Sequence, residues 1–139
     1  LNPDGSAEER LLRAISPNLQ IVPGELPYPE YLRLMATHRI VFQLDRSAVP
    51  GQVAGDALLC RLPCVGGDGA VERLAFPESC GFGREVKSLT EIARRLLSDD
   101  DAYHQVIMNS EIAAAKALGF SVIAEQLGGF AASEGGKGE

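Results

Sequence analysis

Three short apolar runs begin at Leu19, Ile40 and Pro63, 21 and 23 residues apart, with amphipathic stretches between them. That interval is the length of a strand plus a crossover helix, and strands joined in this way run parallel. A parallel sheet needs helices on both faces, so the spacing predicts an α/β fold, a doubly wound parallel sheet with helices on both faces and ligands bound beyond the carboxyl ends of the strands. Those ends are Pro23-Gly24-Glu25, Asp45-Arg46 and the loop Gly66-Gly67-Asp68-Gly69.

The helices between and after these runs have their own signals. Ser6-Ala7-Glu8-Glu9 forms a capping box for a helix that Pro17-Asn18 ends. Pro29 suits the first turn of a helix carrying Tyr31, Leu32, Leu34 and Met35 and ending near His38. Residues 51–61 place Val53, Ala54, Ala57 and Leu58 at helical spacing. Residues 70–74 add a helical turn, residues 76–84 read as irregular, and Glu85-Val86 reads as a fourth short strand. The last third is predicted helical. A second capping box, Ser88-Leu89-Thr90-Glu91, opens an amphipathic helix, and the acidic run 99–101 caps a long helix over 102–118 that Gly119 ends. A final helix is expected over 121–127, and the small, polar, Gly-rich residues 131–139 are expected to form a disordered tail after a single domain spanning 1–130.

Composition narrows the function classes. At 139 residues and 45 % hydrophobic content the chain suits one packed domain. Its net charge of -6 opposes the neutralisation of phosphates on which nucleic-acid binding depends, so no nucleic-acid partner is expected. No apolar run is expected to approach the roughly 18 residues of a membrane span, because Arg, Asp or Gly interrupts every candidate stretch, and the first residues do not form a signal peptide. Cys60, Cys64 and Cys80 are odd in number and lack a C-x-x-C pair, which points to small buried hydrophobes in a reducing, cytoplasmic protein rather than to a disulfide or metal site. His38 and His104 stand apart from any nucleophile, and no Walker loop, G-x-S-x-G elbow, G-x-G-x-x-G or H-E-x-x-H occurs. The start at Leu1, without an initiator Met, reads as a cut piece of a longer protein.

Tyr31-Leu32-Arg33-Leu34-Met35-Ala36, the runs 40–45 and 49–61, Pro63-Cys64-Val65-Gly66 and Glu72 occur in an order that resembles the donor-binding domain of GT-B glycosyltransferases. More narrowly the chain is similar to the large retaining group of family 4, over about residues 19–127. The resemblance implies the Rossmann-like half of a GT-B fold, no cofactor other than an NDP-sugar as donor substrate, no bound metal, and an acceptor-binding N-terminal domain that this chain lacks. The family has two glutamates eight positions apart, one at the donor sugar and one at the ribose. Asp56 takes the second position and Ala48 the first, so either Asp45 or Arg46 substitutes from a nearby loop position or this protein's donor contacts differ. The family's diphosphate-neutralising Arg and Lys have no match before Leu19.

The residues themselves suggest where a diphosphate would go. The first N–H groups of a helix opening at Gly51, Gln52 and Val53 would face an anion with the helix dipole behind them. Asp56, one turn on, would accept from the ribose, and Gly24 and Glu25 would meet the nucleobase by resemblance. Glu72 reads as a structural residue of a helix start, and Arg84 and Lys87 as solvated loop charges. The resemblance implies the nucleotide-sugar-binding part of a hexosyltransferase, inactive without its acceptor domain. The alternative is a non-catalytic α/β module that binds a nucleotide or a partner protein.

Overall fold

The computed structural model describes residues 20–22, 24–46 and 51–135, with residues 10, 14, 16 and 18 singly. The first complete helix, α1 (Tyr28–Ala36), starts directly after Pro27, with Pro29 in the first turn where its missing N–H costs nothing. The following elements are β1 (Val41–Gln43), α2 (Gln52–Leu59), β2 (Cys64–Gly66), α3 (Ala70–Ala75), α4 (Val86–Ser98), α5 (Asp100–Leu118) and α6 (Phe120–Gly135). β1 and β2 pair in parallel, Val41 opposite Cys64, Phe42 opposite Val65 and Gln43 opposite Gly66. The strand, helix, strand crossover read from the sequence is thus present at β1–α2–β2.

The wider sheet is not. The described residues are mostly helical with a sheet of two strands, which overturns the doubly wound α/β sheet, and with it the Rossmann-like half of a GT-B fold. Residues 20–22 form no strand, and Val22 is exposed. An apolar run becomes a strand only where a neighbour completes its ladder of hydrogen bonds, and among the described residues β1 pairs with β2 alone. Glu85-Val86 is not a strand either, because Glu85 caps α4 and Val86 is its first residue. The pattern that buries Leu89, Ala93 and Leu96 propagates back through that turn and leaves Ser88 inside the helix rather than at its cap. The helix expected from Ser6 and the loop holding Ala48 lie mostly or wholly outside the described residues.

The C-terminal helices follow their signals more closely. Asp99 caps α5 by accepting from the Ala102 N–H at 2.9 Å. Residues 100–129 are long and apolar enough, by length and composition, to cross a membrane, but the extended backbone of Gly119 (φ -62, ψ 142) divides them into α5 and α6. α6 then continues to Gly135, past the expected end and into the stretch read as a tail.

Two apolar clusters meet at β2, whose successive side chains point to opposite faces. Cys64 joins Met35, Ala54, Ala57, Leu62, Ala75, Phe76 and Ala114. Val65 joins Leu89, Ala93, Leu96 and Ala102. Phe76, 2 % exposed, is the largest side chain sealed in the core, and its burial contributes about 1.5–3 kcal/mol. After it the chain is irregular, as expected, yet fixed to the end of β2. Ser79 Oγ donates to the Cys64 carbonyl at 2.6 Å, and the Ser79 carbonyl accepts from Gly66 N–H at 2.8 Å. Gly81 N–H likewise donates to the Gly67 carbonyl.

Candidate functional site

The carboxyl ends of β1 and β2 lie side by side, and three loops converge on them. Gly66 ends β2 with φ +87, a left-handed conformation, and a Cβ there would collide with the Gln43 carbonyl of β1. Only glycine permits that approach. Gly51, the N-cap of α2, is also left-handed (φ 87, ψ 48), and a Cβ on it would collide with Glu72 Oε2. A buried carboxylate therefore sits against the start of α2.

Glu72 comes from the first turn of α3 and is 3 % exposed. Its Oε1 accepts from Gln43 Nε2 at 2.8 Å, while among the described residues Oε2 has no hydrogen-bond partner. α2 has no acidic residue in its own first turn, so Glu72 supplies from another element the negative charge that a helix N-terminus favours. The sequence marked Glu72 only as belonging to a helix start. Nothing local to it indicates that its carboxylate reaches a neighbouring helix. Gln43 Nε2 also lies 3.3 Å from Cys64 Sγ. Burial pushes the Cys64 thiol up to about 12, against the smaller opposing effect of the Gln43 hydrogen bond, so this cysteine is no nucleophile.

The residues expected to bind a donor are dispersed around this centre. Gly51 is buried against Glu72, Gln52 is exposed, and Val53 packs partly into the apolar cluster. Asp56 is 4 % exposed, not the solvent-facing ribose acceptor expected, and it accepts from the Tyr28 hydroxyl at 2.6 Å. That bond, ahead of desolvation and the Asp56 charge, holds the Tyr28 phenol above its ordinary value. The two α2 features do not converge. Five residues at about 100° each turn Asp56 well away from Gly51, so it faces α1 while Gly51 faces α3. Gly24 and Glu25 are exposed, and among the described residues no hydrogen bond joins them to the others.

Asp45 and Arg46 are exposed beyond β1. Arg46 Nη2 donates to the backbone carbonyl of Arg84 at 3.2 Å. Arg84 in turn braces its own loop, donating to the Cys80 carbonyl at 2.8 Å and to the Pro77 carbonyl at 3.3 and 3.4 Å. Beside it is an open pocket of about 440 Å³ lined by Arg73, Pro77, Cys80, Phe82, Gly83 and Arg84. Arg73 pairs with Asp68 at 2.9 Å and lies 4.0 Å from the centroid of the Phe82 ring. Sequence spacing could not bring Arg46 to Arg84, because the approach depends on the loop after α3 folding back onto β2.

Among the described residues no group of three or more His, Cys, Asp or Glu side chains is placed to hold a metal ion. Chemically, the strand ends offer guanidinium groups, exposed backbone and one buried carboxylate oxygen able to accept a hydrogen bond. Comparison with protein-family models, curated proteins and solved structures found no match to this chain.

Proposed function

We propose that this chain is the nucleotide-sugar-binding part of a glycosyltransferase, similar to the retaining family 4, that passes a hexose from an NDP-sugar to an acceptor held by another domain. The observation that carries the reading is the convergence of Arg46, the Gly66-Gly67 turn and the loop bearing Arg84 at the carboxyl ends of two parallel strands joined by a helical crossover. Loops at that end of parallel strands are where ligands are usually held. In this reading the guanidinium groups stabilise the diphosphate as negative charge develops on the leaving group. The chain does this without supplying an acceptor, so on its own it transfers no sugar.

The test is a calorimetric titration of the chain with UDP-, GDP- and ADP-sugars in the presence of EDTA. Binding of at least one, undiminished by the chelator, is expected, and failure of all of them to bind removes the proposal. A specific observation favours the second reading, a non-catalytic nucleotide-binding module: the Asp56 carboxylate is already engaged by Tyr28 rather than open to a ribose. Such a module would bind the nucleoside diphosphate as tightly as its sugar conjugate, whereas a donor site gains from the sugar.

A further inference from the structure

We propose that the free edge of β1 is a self-association surface, on which a second copy of this chain adds its own β1 antiparallel about Phe42, so that two sheets of two strands become one of four. The Val41 N–H donates to the Pro63 carbonyl beside β2 at 2.9 Å. Alternation along the strand turns the Phe42 N–H and carbonyl to the opposite edge, where no strand follows and, among the described residues, no hydrogen bond reaches them. Proteins usually blunt such an edge with Lys or Pro, and residues 40–44, Ile-Val-Phe-Gln-Leu, contain neither. The side chains along it are open as well. Phe42 is 42 % and Leu44 54 % exposed, and an apolar pocket of about 270 Å³, lined in part by Leu34, Met35, Ile40 and Val41, lies beside the start of the strand.

Unpaired backbone donors and acceptors along an edge are matched by another extended strand, and the residues of β1 and its flanks select which one. In an antiparallel pair centred on Phe42, Ile40 of each copy lies opposite Leu44 of the other, and the two Phe42 residues lie opposite each other. Opposite residues share a face of the sheet, so these side chains form one apolar row that continues the Val65 cluster against which Ile40 packs. Charge fits the same register. Arg39 of one copy is level with Asp45 of the other at both ends, and no acid stands opposite an acid or arginine opposite an arginine. Arg39 also pairs with Asp100 of its own chain. Hydrogen-bond parity agrees, because Ile40, Phe42 and Leu44, the positions that turn outward, are the ones paired. A shift by one residue sets outward positions against inward ones, and a shift by two sets Ile40 against Arg46 or Leu44 against His38. A patch that is its own complement about a two-fold axis closes at a dimer. The inference does not rest on the donor reading above.

The experiment is analytical ultracentrifugation of the chain up to about 1 mM, since so short a contact gives a weak dimer. A concentration-dependent dimer is expected. Leu44→Lys, which puts a cation opposite Ile40, and Phe42→Pro, which removes the outward N–H and spares the bonds to β2, should each weaken dimerisation by about tenfold or more with the circular dichroism unchanged. If Phe42→Pro disturbs the fold, Leu44→Lys, at an exposed side chain, carries the test. Mild oxidation reads the register, in a Cys60→Ser background that leaves only the buried Cys64 and Cys80. Phe42→Cys should cross-link two copies, because opposite Cα atoms of a hydrogen-bonded antiparallel pair are about 5.5 Å apart, within disulfide reach, whereas Leu44→Cys alone should not. A chain that stays monomeric throughout, a dimer that persists undiminished in both edge variants, or cross-linking through Leu44→Cys instead of Phe42→Cys overturns the inference.

Discussion

Replacing Gly51 with alanine tests the arrangement that organises the candidate site. Two separate costs follow from the geometry. A left-handed backbone (φ 87, ψ 48) costs a residue with a Cβ about 1–2 kcal/mol relative to glycine. The new Cβ also collides with Glu72 Oε2, and the carboxylate, 3 % exposed, must shift and give up the 2.8 Å bond from Gln43. Losing a hydrogen bond to a charged group costs about 1.5–3 kcal/mol. Together the costs are about 2.5–5 kcal/mol. For 139 residues unfolding with about 2.1 cal/mol/K per residue, each kcal/mol lowers the midpoint by about 3.5 °C, so Gly51→Ala should melt about 9–17 °C below wild type. Thermal melts followed by circular dichroism, with urea titrations alongside, measure this directly. The decisive control is the double variant. In a Glu72→Ala background the collision disappears, so adding Gly51→Ala should cost only the backbone part, about 1–2 kcal/mol. If Gly51→Ala costs the same with and without Glu72, the carboxylate does not abut α2 and the reasoning is wrong.

Asp56→Ala should lower stability by about 1–3 kcal/mol, because a 4 % exposed acceptor is removed, and urea unfolding of this variant would show no loss if Asp56 were a solvated surface residue. With an excess of a thiol reagent at pH 8, Cys60 should react first and Cys64 last: Cys64 is buried and its thiol is pushed up to about 12, so it stays protonated well beyond its ordinary 9.0 and stability tied to that thiol is lost only as pH rises above that value. Cys64 labelling as fast as Cys60 would refute this. Asp100 should titrate below its ordinary 3.8, chiefly because of the hydrogen bond from Arg39, so its contribution is present above that pH and is lost as pH falls through the lowered value. NMR titration of Asp100 should return it to the ordinary range in Arg39→Ala, and an unchanged titration would refute the pairing.

Much of the local structure is written in single residues. Pro29 marks the start of α1, the Leu89, Ala93 and Leu96 spacing defines the buried face of α4, and Asp99 caps α5. The distance between the runs at Ile40 and Pro63 was enough to read a parallel β1–α2–β2 crossover. These signals are legible because each acts within about one helical turn or over one fixed crossover length. The sequence at 20–22 and Glu85-Val86 looks equally strand-like, but a strand exists only with a partner, and no local signal says whether one will be there.

The candidate site was legible only in fragments. Gly51 was correctly a helix start, but that it faces Glu72 depends on α3 packing against α2. Asp56 had the right residue type for a ribose acceptor, and its position on α2 turned it toward Tyr28 instead. Arg46 and Arg84 are 38 positions apart and meet because the loop after Phe76 is tied back to β2 through Ser79 and Gly81. The sequence by itself determined which residues could cap, turn or carry charge, since those properties are local. Which of them meet was decided by tertiary packing, because burial of Phe76, Cys64 and Val65 fixes where distant loops lie, and no pattern within a single element encodes that.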